Sequence, residues 1–222
     1  SCRGRHIWMG LAMRNLLRLL FCAVLPLLLA EAAAARPSWS GFYQATPQQA
    51  ALPPGTLIRY EETRTPAFFR AKVWRILYAT RDYLGRPILS SGLVVLPDYA
   101  ARNHNDRTIV AWAHPTVGIA RHCAPTLAKS PVTTILGLNE LVSSGHVIAA
   151  TDYPGLGTVG PIGYLVGRGQ ANAVIDAVRA ARQMSEIGGG RRYALWGYSQ
   201  GGHAALFASQ LSKRYAPELE LI

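Results

Sequence analysis

One octapeptide constrains this chain more than any other stretch: Trp196-Gly197-Tyr198-Ser199-Gln200-Gly201-Gly202-His203. It sets a Gly-x-Ser-x-Gly pentapeptide between an apolar run, Tyr193-Ala194-Leu195-Trp196, and a helix-like run from Ala204 to Ser212. A serine hydroxyl is a poor nucleophile unless its oxygen stands exposed, faces a base and lies beside backbone donors. A sharp strand-to-helix turn supplies that exposure, and glycines at Gly197 and Gly201 let strand and helix approach without Cβ clashes. Ser199 is the candidate nucleophile. The plain alternative is a glycine-rich turn that happens to carry a serine. It loses ground because both flanks have the patterns the chemistry requires.

The rest of the chain supplies a sheet for such a turn. Thr108 to Ala113 is a short, nearly continuous apolar run, the mark of a strand buried on both faces. From there strands alternate with helical patterns, which argues for βαβ units and a parallel sheet. Before it, Leu57–Tyr60 and two longer runs around the turn Asp82–Pro87 read as antiparallel strands. The expected strands cover about 72–79, 88–96, 108–113, 147–151 and 192–197, with helices near 133–144, 169–186 and 200–213. Leu219–Ile222 reads as the start of a further strand.

Half the residues are hydrophobic and 16% are charged, so a sizeable core is available and disorder is disfavoured. A formal charge of +11 suggests nucleic acid at first sight. Arg191-Arg192 is the only pair of adjacent arginines, however, and no basic stripe with interleaved aromatics appears, so no nucleic-acid partner is expected. Attraction to an acidic lipid–water interface is compatible with that charge.

Residues 1–12 read as upstream or artefactual. From Met13 a basic start leads to an apolar stretch, Leu19–Ala30, and small-residue sites near Ala32–Ala35. This is a signal peptide over 13–35, too short for an integral membrane span, and it implies secretion. Residues 36–56 read as a surface arm and 57–222 as the folded domain. Of Cys2, Cys22 and Cys123, only the last would remain after cleavage.

Two loops at strand ends precede the one carrying Ser199. In His114-Pro115-Thr116-Val117-Gly118, Pro115 has no N–H, so the Thr116 amide is the candidate oxyanion donor, paired with the Gln200 amide. In Thr151–Gly157, Asp152 reads as a carboxylate tying down its own turn rather than as a catalytic acid. His114 reads as a loop organiser and His203 as packing, while His104 and His146 have no company. His114, His122 and Cys123 lack the spacing of a metal site, and neither metal nor cofactor is expected.

Taken together, the ordered stretches Pro54–Arg59, Arg75–Tyr78 with Leu84–Pro87, Trp112–Ala120 with Cys123–Pro125, Ala150–Gly157, Tyr164–Gly167 and Gly197–Gly202 resemble the secretory lipase family, typified by fungal lipase A-type enzymes. The resemblance runs from about residue 52 onward. It implies a three-layer α/β-hydrolase fold with a mostly parallel sheet. It also implies a secreted serine esterase acting on acylglycerols or other carboxylic esters, with triacylglycerol lipase the first expectation. A soluble carboxylesterase, an acyltransferase and a non-catalytic secreted module are the alternatives. Family members carry their acid, base, cap and further cysteines well past the elbow, whereas this sequence runs 23 residues beyond Ser199. The expectation is therefore a fold truncated after the elbow helix. Acid and base are not found in the chain, residues 36–222 alone should show trace activity at most, and the disulfide partner of Cys123 is missing.

Overall fold

The computed structural model describes residues 41–63, 70–98, 107–188 and 190–222. The expectations for residues 1–12, for the leader at 13–35, for Cys2 and Cys22, and for His104 lie outside the described residues.

Among the described residues, seven strands form one sheet: β1 (Leu57–Glu62), β2 (Ala71–Arg81), β3 (Pro87–Pro97), β4 (Ile109–Ala113), β5 (Val147–Thr151), β6 (Arg192–Gly197) and β7 (Glu220–Leu221). Their order is β1-β2-β3-β5-β4-β6-β7. β5, β4, β6 and β7 are mutually parallel, while β1, β2 and β3 pair antiparallel and β3 joins β5 antiparallel. Five strands therefore run one way, with β1 and β3 reversed. This is the α/β architecture with a mostly parallel sheet that the alternation of patterns called for, and it has the fold that the resemblance implied.

Alternation along the central strands divides the core into two layers. Ile109, Ala111 and Ala113 pack with the helices α3 (Gly167–Ala181) and α4 (Gln200–Tyr215). Val110 and Trp112 face the opposite side, against Ile135 and the short helix α2 (Leu138–Ser143). Every residue of β4 and β5 is buried, which is why 109–113 is continuously apolar and 147–150 likewise shows no alternation.

Two expectations need correction. The helix expected over 133–144 is split: Pro131–Thr134 makes a 3₁₀ turn, and α2 starts only at Leu138. The successive β-branched residues Val132, Thr133, Thr134 and Ile135 are poor helix formers, and Gly137 ahead of α2 takes the left-handed conformation at φ 72°. The stretch read as a surface arm is also partly core. Phe42 and Tyr43 are buried against Leu77, Ala79 and Leu89, and a helical turn, α1 (Pro47–Ala50), follows them. Thr46 and Gln49 cap that turn reciprocally.

Candidate active site

Because β5, β4 and β6 are adjacent and parallel, the loops leaving their carboxyl ends gather at one edge of the sheet, where ligands bind in such folds. Ser199 stands on the third of these loops, exposed, between β6 and α4. Its backbone is at φ 54°, ψ −117°, a conformation sparsely populated by any residue with a Cβ. A serine at a helix N-cap normally turns its oxygen onto an amide of the first turn. Ser199 makes no such bond, so the strain in its backbone leaves the hydroxyl clear of the helix.

The flanking glycines hold this turn in place by having no side chain. A Cβ at Gly197 would lie 2.3 Å from the Gly201 carbonyl oxygen, and one at Gly201 would lie 1.8 Å from the Ala113 carbonyl oxygen. No side chain fits at either position.

Thr116 lies just past the end of β4 and is exposed, with its hydroxyl 3.1 Å from the Tyr164 hydroxyl. Gln200 is buried and opens α4, so its amide is one of the first four that have no acceptor within the helix.

The remaining polar residues have other employment. His114 is buried, with Nδ1 2.6 Å from the Pro115 carbonyl oxygen and Nε2 3.2 Å from that of Asp152. Its own carbonyl accepts from the Tyr153 hydroxyl at 3.0 Å. It thus braces the β4 loop against the β5 loop. Asp152 is buried too, and its carboxylate accepts from the Ser91 hydroxyl at 2.6 Å, the Thr126 amide at 3.1 Å and the Thr126 hydroxyl. Burial pushes this carboxyl above the usual carboxylate range despite those bonds. Asp152 therefore ties down a distant segment rather than its own turn, where the Tyr153 amide goes instead to the Thr151 hydroxyl at 2.9 Å. His203 packs its ring on Phe207 with centroids 4.7 Å apart, and its buried Nδ1 has no partner.

Nothing at fixed spacing in the sequence announces Ser91 and Thr126 as partners of Asp152, or Tyr164 as partner of Thr116. Those pairs lie 61, 26 and 48 residues apart. Cys123 is a free, half-buried thiol against Gly118, where a Cβ would sit 2.5 Å from the sulfur. Among the described residues, no three His, Cys, Asp or Glu side chains come together as a metal site, and no helix is long and apolar enough to cross a membrane.

Comparison with known proteins agrees with this fold. The secretory lipase family matches residues 122–222. Lipase 6 of Candida albicans is 27% identical over 202 residues, covering 83% of this chain and 42% of its own. Lipase A of Arthroderma benhamiae is 28% identical over 223 residues, covering 90% and 45%. Among solved structures, Candida antarctica lipase A superposes with a TM-score of 0.70 at 21% identity, over 82% of this chain and 44% of that one. A rice cell wall degrading esterase, LipA from Xanthomonas oryzae, gives 0.61 at 26% identity, over 77% and 49%. The chain spans less than half the length of the relatives it matches.

Proposed function

We propose that the chain is a member of the secretory lipase family and part of a secreted carboxylic ester hydrolase, a triacylglycerol lipase in the first instance, working through an acyl-enzyme on Ser199. The observation that carries the reading is the strained Ser199 backbone between two positions that admit no side chain.

In this mechanism Ser199 Oγ attacks the ester carbonyl. The amides of Thr116 and Gln200 stabilise the oxyanion, the alcohol leaves, and water releases the acid. Loss of one oxyanion donor raises such a barrier by about 3–4 kcal/mol. The attack also needs a base and a carboxylate to orient that base. His114 and Asp152 are committed to bracing loops, and His203 is packed on Phe207. The reading therefore assigns base and acid to the part of the relatives' length that this chain does not span.

A fluorophosphonate probe tests the nucleophile on protein made from the whole coding sequence. Labelling that vanishes in Ser199→Ala, with hydrolysis of tributyrin emulsion above that of soluble butyrate esters, is the expected result. Preference for the soluble esters would make the protein a carboxylesterase. Absence of labelling would favour a non-catalytic secreted module, a reading supported by the structural employment of His114 and Asp152. Export with cleavage near Ala35 is checked by N-terminal sequencing of the secreted product.

A further inference from the structure

The backbone of His114 lies directly against the elbow. Ala113 at the end of β4 pairs with Gly197 at the end of β6, so the chain leaves for Thr116 and for Ser199 from neighbouring points. A Cβ on Gly201 would stand 3.0 Å from the His114 carbonyl oxygen. That oxygen accepts from the Tyr153 hydroxyl at 3.0 Å, and the His114 ring packs on the Tyr153 ring with centroids 4.4 Å apart. With 1% of the residue exposed, the ring is held on every side.

This fixed ring sets the direction of the next peptide unit. Nδ1 lies 2.6 Å from the Pro115 carbonyl oxygen and Nε2 3.2 Å from that of Asp152. Carbonyl oxygens only accept, so the shorter contact requires a proton on Nδ1. The Pro115 carbonyl and the Thr116 amide belong to one planar unit, and no peptide bond is cis among the described residues. In a trans unit the N–H points opposite to the C=O. A carbonyl drawn inward to a buried ring therefore turns the Thr116 amide outward, where Thr116 is exposed. Among the described residues that amide has no acceptor.

We infer that His114 is a positioning residue for the oxyanion hole: its Nδ1–H holds the Pro115–Thr116 peptide so that the Thr116 amide faces the oxygen of an ester at Ser199. The inference rests on the ester hydrolase reading, which makes that amide a donor. It divides the ring into two tasks. Nε2 meets the β5 loop at Asp152, and Nδ1 fixes the donor. Without Nδ1–H the peptide can turn, and a donor that must be turned back at the moment of reaction stabilises the transition state less.

Asparagine and glutamine separate the two tasks, because an asparagine amide reaches the place of Nδ1 and a glutamine amide that of Nε2. On protein made from the whole coding sequence, kcat and KM are measured for soluble butyrate esters. His114→Gln is expected to lower kcat by about tenfold to a hundredfold with KM unchanged, since an oxyanion donor acts in the transition state. His114→Asn should keep kcat within about fivefold, because it restores the donor to the Pro115 carbonyl. Equal losses in the two variants would mean a merely structural ring and overturn the inference. A loss confined to KM, or no loss in His114→Gln, overturns it as well.

Two further measurements need no turnover. Crystal structures of the unsubstituted protein, His114→Gln and His114→Asn compare the Pro115–Thr116 peptide. A peptide rotated in the glutamine variant and restored in the asparagine variant supports the inference, even where no ester is hydrolysed and the ester hydrolase reading fails. A peptide unmoved in both overturns it while leaving the assignment of Ser199 intact. The ring ¹⁵N spectrum of the unsubstituted protein stands even if a variant does not fold. It should show His114 protonated at Nδ1, and a ring protonated at Nε2 alone overturns the inference.

Discussion

A Cβ on Gly201 would lie 1.8 Å from the Ala113 carbonyl oxygen, so α4 and β4 meet backbone against backbone beneath Ser199. A methyl group there must push the helix off the sheet, because the obstacle is main chain and cannot rotate away. Gly201→Ala is expected to lose more than about 3 kcal/mol, beyond ordinary overpacking. Gly197→Ala should behave alike, since its Cβ would lie 2.3 Å from the Gly201 oxygen. Gly202→Ala is the control: its Cβ meets nothing closer than 3.7 Å and should be tolerated. Urea denaturation of the three variants checks the ranking.

The strain at Ser199 predicts a trade of stability for function. Ser199→Gly relieves the φ 54°, ψ −117° conformation, whereas Ser199→Ala keeps the Cβ and its strain. The glycine variant should be the more stable of the two by about 1–3 kcal/mol, with neither labelled by a fluorophosphonate. Equal melting temperatures would mean that the turn carries no strain.

Asp152 should prove structural. Asp152→Ala leaves the Ser91 hydroxyl and the Thr126 amide and hydroxyl buried without their acceptor. A loss of about 3 kcal/mol or more is expected, with a smaller loss for Asp152→Asn, which keeps an acceptor oxygen. A shift in urea midpoint checks this. An Asp152→Ala variant of unchanged stability but no esterase activity would place the carboxylate in the chemistry instead.

At Thr116 the proposed work is done by the backbone. Thr116→Val and Tyr164→Phe each break the hydroxyl contact at 3.1 Å while keeping every amide. Both are expected to retain kcat within about threefold, far short of the 10²–10³-fold loss typical of a deleted oxyanion donor. A hundredfold drop in either would transfer the role to the hydroxyls.

Asp176 predicts a pH dependence. It is buried on α3, and its carboxylate accepts from the Thr80 and Tyr215 hydroxyls at 2.7 Å each and from Arg179 at 3.0 Å. Burial outweighs those bonds and raises the carboxyl to about 6. The folded value thus lies above the unfolded one of about 3.9, so the folded state binds the proton more tightly. The stabilisation is fully present below about pH 4 and is lost as pH rises through about 6. The stability of the wild type minus that of Asp176→Asn should fall by about 2–3 kcal/mol across that window and then level off. Urea denaturation at a series of pH values measures the difference, and a rise with pH would reverse the assignment.

Local pattern alone was enough for much of this molecule. The apolar runs at 109–113 and 147–150 and the helical spacing within Gly167–Ala181 are each written within a few turns of chain, where side-chain periodicity follows directly from backbone geometry. So is the elbow at Ser199, because glycine at Gly197 and Gly201 reports a close approach that no other residue permits. Tertiary structure alone decided the rest. Phe42 and Tyr43 lie in a stretch without periodicity, and only packing against β2 and β3 makes them core. The helix pattern before β5 gave way to Gly137 and a run of β-branched residues. Asp152 answers to Ser91, 61 residues away, and the His114 ring meets the Asp152 carbonyl, 38 residues away. Such pairings depend on which strands end up adjacent, and hydrogen bonds between distant segments leave no periodic trace in the chain.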